Sequence, residues 1–154
     1  MALPAPSHLL LVVEDSDEDY EATRRTLHTI SATLQFARCV DGDDALDRLF
    51  RRAAYAAPTF APRPSLILLD LNLPATDGRE VLEKIKSDAS LRSIPVVVLS
   101  TSANPKDVDV CYRNGASSYL LKPVNLQQFR QQLKLLFDYW FGAVLLPEAQ
   151  KEEP

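Results

Sequence analysis

Three runs of consecutive apolar residues constrain this chain most: Leu9–Val13, Leu66–Leu69 and Val96–Leu99. None alternates with polar residues, so a strand built from any of them has no face to give to water and must be covered on both sides. A parallel sheet with helices on each face meets that requirement; an antiparallel sheet with one wet side does not. The central run stops abruptly at Asp70, and Pro74 and Gly78 mark the following segment as a loop.

The segments between these runs carry helical periodicity. Tyr20, Thr23, Leu27 and Ile30 share one face, and Asp17, Glu18 and Asp19 lie in the first turn, where the helix dipole favours acids. Leu34 and Phe36 alternate with polar or small neighbours and lead into Cys39-Val40, a second strand. Asp41 then caps a helix whose apolar face is Ala45, Leu46, Leu49, Phe50 and Ala53. The loop Ala56–Pro64, with three prolines, follows. Val81, Leu82 and Ile85 mark a third helix. Asn104-Pro105 opens a fourth, which passes through Val108, Cys111 and Tyr112 and stops at Asn114-Gly115. Ser118–Leu121 is a fifth strand, ending in Lys122-Pro123. A last helix carries Leu126, Phe129, Leu133, Leu136 and Trp140 and is expected to reach the neighbourhood of Leu146.

Strand and helix alternate five times, which predicts an α/β fold: a (βα)5 unit with a doubly wound parallel five-stranded sheet. At 154 residues the chain is about one domain long, read here as residues 7–146 with an acidic tail, 147–154, expected to be disordered. No output domain is expected beyond this unit. The net charge of −4, with no basic block, argues against a nucleic-acid partner. No apolar segment approaches the roughly 20 residues of a membrane span, and the first residues carry no signal-peptide pattern, so no membrane partner is expected. Cys39 and Cys111 make neither a disulfide framework nor a metal-ligand spacing; they read as buried thiols in a reducing cytoplasm.

In a parallel sheet every strand delivers its last residue to the same edge, where open α/β folds place their chemistry. Glu14 and Asp15, Asp70, Ser100 and Lys122 all stand at such ends. Three clustered carboxylates repel one another, and a divalent cation relieves that cost; Mg²⁺ suits an all-oxygen set. Asp70 is then the nucleophile, because a carboxylate can form an acyl phosphate. Lys122 would neutralise charge on the phosphoryl oxygens and Ser100 would donate a hydrogen bond to one of them. Asn72 could offer its backbone carbonyl to the metal, completing a ligand set of Glu14, Asp15, Asp70 and Asn72.

These residues, with Leu73-Pro74 and Asp77-Gly78 behind the acceptor and the run Gly115-Ala116-Ser117-Ser118-Tyr119-Leu120-Leu121-Lys122-Pro123, resemble the response-regulator receiver domain of two-component signalling, from Leu9 to about Leu136. Glu-Asp replaces the more usual Asp-Asp, and Ser100 stands where Thr is common; both keep the chemistry. The resemblance implies the flavodoxin-like strand order 2-1-3-4-5 and a cis peptide bond at Lys122-Pro123. It also implies phosphorylation of Asp70 by a histidine kinase with Mg²⁺, and coupling through Ser100 and Tyr119 to an unidentified downstream protein. Catalysis would be limited to the protein's own phosphorylation and dephosphorylation. Pro95–Ser102, Phe137–Phe141 and Leu145-Leu146-Pro147 resemble a narrower group, the stand-alone regulators that partner bacterial and cyanobacterial phytochromes, so the expected kinase is of the phytochrome type. A haloacid-dehalogenase-type phosphatase would want a second acid where Asn72 stands. A flavodoxin-like FMN module would want strand-end loops rich in Ser, Thr and Gly rather than acids.

The final helix has a second apolar side. Leu135, Tyr139 and Leu146, with Phe141 near the seam, fall away from the core-facing stripe, and one sheet cannot cover both sides. A homodimer through this helix is the expected partner for that side.

Overall fold

The computed structural model describes residues 8–31, 33–56 and 62–147. The apolar runs become β1 (Leu9–Val13), β3 (Leu66–Asp70) and β4 (Val96–Ser100), every residue of which is buried. The half-polar stretches become β2 (Gln35–Cys39) and β5 (Ser118–Leu121), which are only partly covered. All pairings are parallel and the order is β2-β1-β3-β4-β5, so the less apolar strands are the edges.

Successive side chains of a strand point to opposite faces, and this explains why the central strands read as unbroken apolar runs. Leu11, Val13, Ile67, Leu69, Val96 and Val98 go to one core. There they meet Ala45, Leu46 and Leu49 of α2 (Gly42–Leu49), Val81, Leu82 and Ile85 of α3 (Gly78–Ser87), and Cys111 of α4 (Pro105–Arg113). Leu10, Val12, Leu66, Leu68, Val97 and Leu99 go to the other. Ala22 and Leu27 of α1 (Asp17–Ile30) and Phe129, Leu133, Leu136 and Phe137 of α5 (Leu126–Asp138) close that side. Each of the five helices starts on a side chain that accepts from its own first turn: Ser16, Asp41, Asp77, Asn104 and Asn125. The caps fix where each helix leaves the carboxyl edge of the sheet.

Several elements depart from the sequence reading. α2 ends at Leu49 rather than running through Ala53, because Arg51 (φ 55°) and Ala53 (φ 51°) take left-handed backbone before a single 3₁₀ turn at Ala53–Tyr55. Within the Ala56–Pro64 loop, residues 57–61 lie outside the described residues, as does the tail beyond Pro147. The Lys122–Pro123 bond is not cis; no described peptide bond is, and trans is the favoured form of an X–Pro bond by about 0.5–1 kcal/mol. Both cysteines are buried and unpaired, as expected. Among the described residues no helix is long and apolar enough to cross a membrane.

The largest departure is at the end. α5 stops at Asp138 and passes into a wide π turn, Tyr139–Ala143, after which Val144 is extended. A π turn advances each residue by less than the 100° of an α-helix, so the second apolar stripe does not continue as drawn. Leu135 and Tyr139 do face outward, 73% and 56% exposed. Phe141 instead packs partly buried against the α1/α5 core, beside Phe137, and Leu146 is buried in the protomer itself.

One glycine decides how close α3 can come to the end of β3. A Cβ on Gly78 would lie 2.3 Å from the Asp70 carbonyl oxygen and 2.6 Å from the Leu71 Cα, both backbone atoms that cannot step aside. Gly78→Ala is therefore expected to destabilise the protein by about 1–3 kcal/mol in urea unfolding; an unchanged midpoint would contradict this packing.

Candidate functional site

The parallel register sets the site before any side chain is considered. Val13 pairs with Leu69, Asp70 with Leu99, and Ser100 with Leu121, so the residues that end β1, β3, β4 and β5 form one row across the edge. Glu14 and Asp70 are buried there, at 3% and 6% exposure, while Asp15 is exposed. One carboxylate oxygen from each of Glu14, Asp15 and Asp70 lies within 4.8 Å of the others. The Asn72 N–H donates to Asp70 Oδ1 (3.0 Å), which fixes that carboxylate oxygen and seats Asn72 beside it.

Lys122 reaches the same place from β5. Its Nζ donates to Glu14 Oε1 (2.6 Å), Asp70 Oδ2 (2.9 Å) and Asp19 Oδ2 (3.0 Å). All three ammonium hydrogens are thus spent on carboxylates. The Lys122 N–H is held in turn by the Ser100 carbonyl (2.8 Å), so the edge strand carries the lysine in a fixed position.

Ser100 is fully buried, and its Oγ accepts from the Ser102 N–H (3.0 Å). Tyr119 is half-buried, and its hydroxyl donates to the Ser102 carbonyl (2.7 Å). The two expected switch residues therefore meet on opposite ends of one residue, Ser102. The Ser102 hydroxyl donates to Asp107 Oδ2 (2.6 Å), and Asp107 pairs with Arg79 of α3 (3.1 Å).

Reading the sequence missed three participants. Ser102 enters the sequence reading only as the end of the run Pro95–Ser102. Arg38, on β2, donates from Nε to the Glu14 carbonyl (3.0 Å), pairs with Asp17 (2.8 Å) and lies over the Tyr20 ring, clamping the β1–α1 turn. Asp19 read as a helix-dipole acid. Its signal was the spacing: it stands three residues after the cap Ser16, where an acid ordinarily reaches back to the cap's N–H. Here Glu14 Oε2 takes that N–H (3.3 Å), and Asp19 is left to bind Lys122.

The electrostatics follow from one cation among several anions. Burial first, then the neighbouring Asp70 carboxylate, push Glu14 from the usual 4.5 up to about 8, against the opposing pull of Lys122. Burial alone would lower the Lys122 ammonium, but hydrogen bonds and charge from Glu14 and Asp70 outweigh it and hold the group above the usual lysine range. A pocket with this excess of hard oxygen donors fits a divalent cation of the Mg²⁺ or Mn²⁺ kind, with Glu14, Asp15 and Asp70 as its protein ligands.

With fold and site in hand, residues 10–134 match the response regulator receiver domain, and the chain belongs to that family of signalling proteins. The response regulator Rcp1 of Synechocystis sp. is 40% identical over 144 residues, covering 94% of this chain and 96% of Rcp1. The Mn²⁺-bound form of Rcp1 matches with a TM-score of 0.87 at 39% identity, over 92% of this chain and 99% of that one. The phosphorylated cyanobacterial phytochrome response regulator RcpA matches with a TM-score of 0.86 at 39% identity, over the same shares of each chain. The protein is thus similar to phytochrome response regulators within the receiver family.

The raised Glu14 fixes the sign of a pH effect. A carboxyl whose folded value lies above its unfolded value is protonated in both states below about pH 4.5, and its contribution to stability is lost as pH rises from there toward about 8. In metal-free buffer, Glu14→Gln should therefore gain stability relative to the wild-type protein between about pH 5 and pH 8, read by chemical denaturation. A constant difference, or one that moves toward the wild type, would contradict the burial of a carboxyl with this environment.

Proposed function

We propose that this protein is a cytoplasmic response regulator, residues 7–146 acting as one receiver unit. It accepts a phosphoryl group on Asp70 from a histidine kinase of the phytochrome type and signals through altered contacts with other proteins. The observation that carries this reading is the position of Asp70. It is at once a member of the carboxylate cluster suited to a cation and the direct partner of the Lys122 ammonium. The similarity to Rcp1 and RcpA supports the choice of kinase.

In this reading an Asp70 carboxylate oxygen attacks the phosphorus, the P–N bond to the kinase histidine breaks, and the imidazole leaves with its electron pair. Bound Mg²⁺, held by Glu14, Asp15, Asp70 and the Asn72 carbonyl, would supply positive charge against that of the phosphoryl oxygens. Lys122 turns the N–H it gave to Asp70 toward a phosphoryl oxygen. Ser100 turns its hydroxyl the same way, drawn by a charge-assisted hydrogen bond made only after transfer. That turn removes the acceptor from the Ser102 N–H, and Tyr119, bonded to the same residue, is released to move inward. The aspartyl phosphate is later lost to water, so turnover is confined to the protein's own modification.

A homodimer through α5 belongs to the same reading, with the face narrowed to Leu135 and Tyr139. They are large, exposed and one helical turn apart, whereas Phe141 and Leu146 serve the protomer's own core.

Asp70→Asn should abolish labelling by acetyl phosphate and Mg²⁺ while leaving the circular dichroism spectrum unchanged, because a carboxamide of the same shape is a far weaker nucleophile. An equal phospho-adduct on the variant would overturn the assignment. Sedimentation at micromolar concentration should show a dimer that Leu135→Glu with Tyr139→Glu converts to a folded monomer. A wild-type protein that stays monomeric with and without acetyl phosphate would refute the dimer.

A further inference from the structure

Lys122 has three ammonium hydrogens and three carboxylate partners, and those partners are not equivalent. Glu14 and Asp70 belong to the cluster whose oxygens lie within 4.8 Å of one another; Asp19 does not. Were a divalent cation held by that cluster, oxygens of Glu14 and Asp70 would be turned to it and the Lys122 ammonium would be repelled, since like charges a few ångströms apart interact strongly in a buried pocket. Asp19 is then the one acceptor that Lys122 shares with nothing. We propose that Asp19 is a positioning residue: it tethers the Lys122 ammonium beside Asp70 when the acidic pocket is filled, leaving one N–H free to pass from the Asp70 carboxylate to a phosphoryl oxygen. The inference rests on the phosphoacceptor reading above.

The local structure is built for a tether. The Asp19 N–H is fixed by the Ser16 hydroxyl (3.2 Å), and its carbonyl accepts from the Thr23 hydroxyl (2.9 Å), so the backbone that carries the carboxylate is held on both sides of its Cα. The cap's own N–H, which would compete for an acid at this position, is occupied by Glu14 Oε2. On the lysine side, Lys122 is only 9% exposed and its backbone is tied to β4. Asp19 lies at 33% exposure, at the mouth of a cleft of about 190 Å³ that it shares with Glu18, Thr101, Lys122, Pro123 and Val124. Of the three carboxylates on the ammonium it is the most exposed, Glu14 and Asp70 being almost wholly buried.

Simple charge counting predicts the opposite sign. A carboxylate at the mouth of an anionic pocket repels an anionic phosphodonor, so its removal should speed labelling. If Asp19 acts as a tether, its removal slows labelling instead, because the ammonium loses the position it needs.

Two measurements on Asp19→Asn and Asp19→Glu decide between these. The first is NMR of the Lys122 ammonium, identified by its loss in Lys122→Arg. Without metal, wild type and Asp19→Asn should both show a protected signal, since Glu14 and Asp70 hold the group. With Mg²⁺ added, the signal should persist in the wild type, vanish in Asp19→Asn and return in Asp19→Glu. The second is the rate of acetyl-phosphate labelling at saturating Mg²⁺. It should fall roughly tenfold in Asp19→Asn and partly recover in Asp19→Glu, with Mg²⁺ affinity unchanged. A protected signal in Asp19→Asn with Mg²⁺ would overturn the proposal, as would labelling as fast as or faster than wild type, or a slowing matched by weaker Mg²⁺ binding. Failure of the wild type to label at all would fault the phosphoacceptor reading, and the ammonium signal would then decide the tether alone.

Discussion

The hold of three carboxylates on the ammonium of Lys122, whose side chain is nine-tenths buried, is the interaction on which the rest of this site depends. Withdrawing charges from water is costly, and a buried ion pair repays that cost only with good geometry and with its remaining hydrogen-bonding groups satisfied. Here the donors are used in full, but the negative charge is not balanced: Glu14, Asp70 and Asp19 share one cation, and Asp15 stands beside them. Glu14 is raised by burial first and by the neighbouring Asp70 carboxylate after it. A pocket that is short of positive charge has a use for a divalent cation, and for a group whose arrival rearranges the ammonium.

The fold supplies this arrangement without special loops. Five parallel strands end on one edge, and the register places the end of β1 beside that of β3, β3 beside β4, and β4 beside β5. Two cores, one on each face, bury the three central strands between helices, so that among those strands polar residues fall at the carboxyl ends. The close approach at Gly78 and the caps at Ser16, Asp77 and Asn104 fix the loops that carry Asp15, Asn72 and Ser102. Stability and function are separated in space: apolar side chains along the strands, charge at their ends.

How much of this can be read from the chain depends on the geometry of each element. The α/β class, the parallel sheet and the strand ends Glu14, Asp15, Asp70, Ser100 and Lys122 were legible, because a parallel sheet converts the last residue of each run into a neighbour of the others. The partners contributed by helices and edge strands were not. Asp19 lies on a helix, Arg38 in the middle of β2 and Ser102 in a turn; where their side chains point is set by caps and tertiary contacts rather than by periodicity. The end of α5 failed for a related reason. A stripe drawn at 100° per residue is valid only while the helix stays α, and the π turn at Tyr139–Ala143 returns Phe141 to the core and leaves Leu135 and Tyr139 outside. The cis bond inferred at Pro123 came from resemblance alone, with no local residue requiring it.

Ser102 gives the site a route outward. Its N–H is bound to Ser100, its carbonyl to Tyr119 and its hydroxyl to Asp107, which is paired with Arg79. In the proposed reading, a displacement of the Ser100 hydroxyl would be passed through these bonds to a β5 aromatic and to the first turns of two helices, and so toward a surface that another protein could read. All of this follows from chemistry at one carboxylate, and that is where the account is most directly tested. The protein is incubated with acetyl phosphate and Mg²⁺, reduced with borohydride to trap any acyl phosphate as an alcohol, digested and mapped by mass spectrometry. The account predicts homoserine in place of Asp70 and at no other acidic residue. Reduction at Asp15, at Asp19 or nowhere in the chain would contradict it.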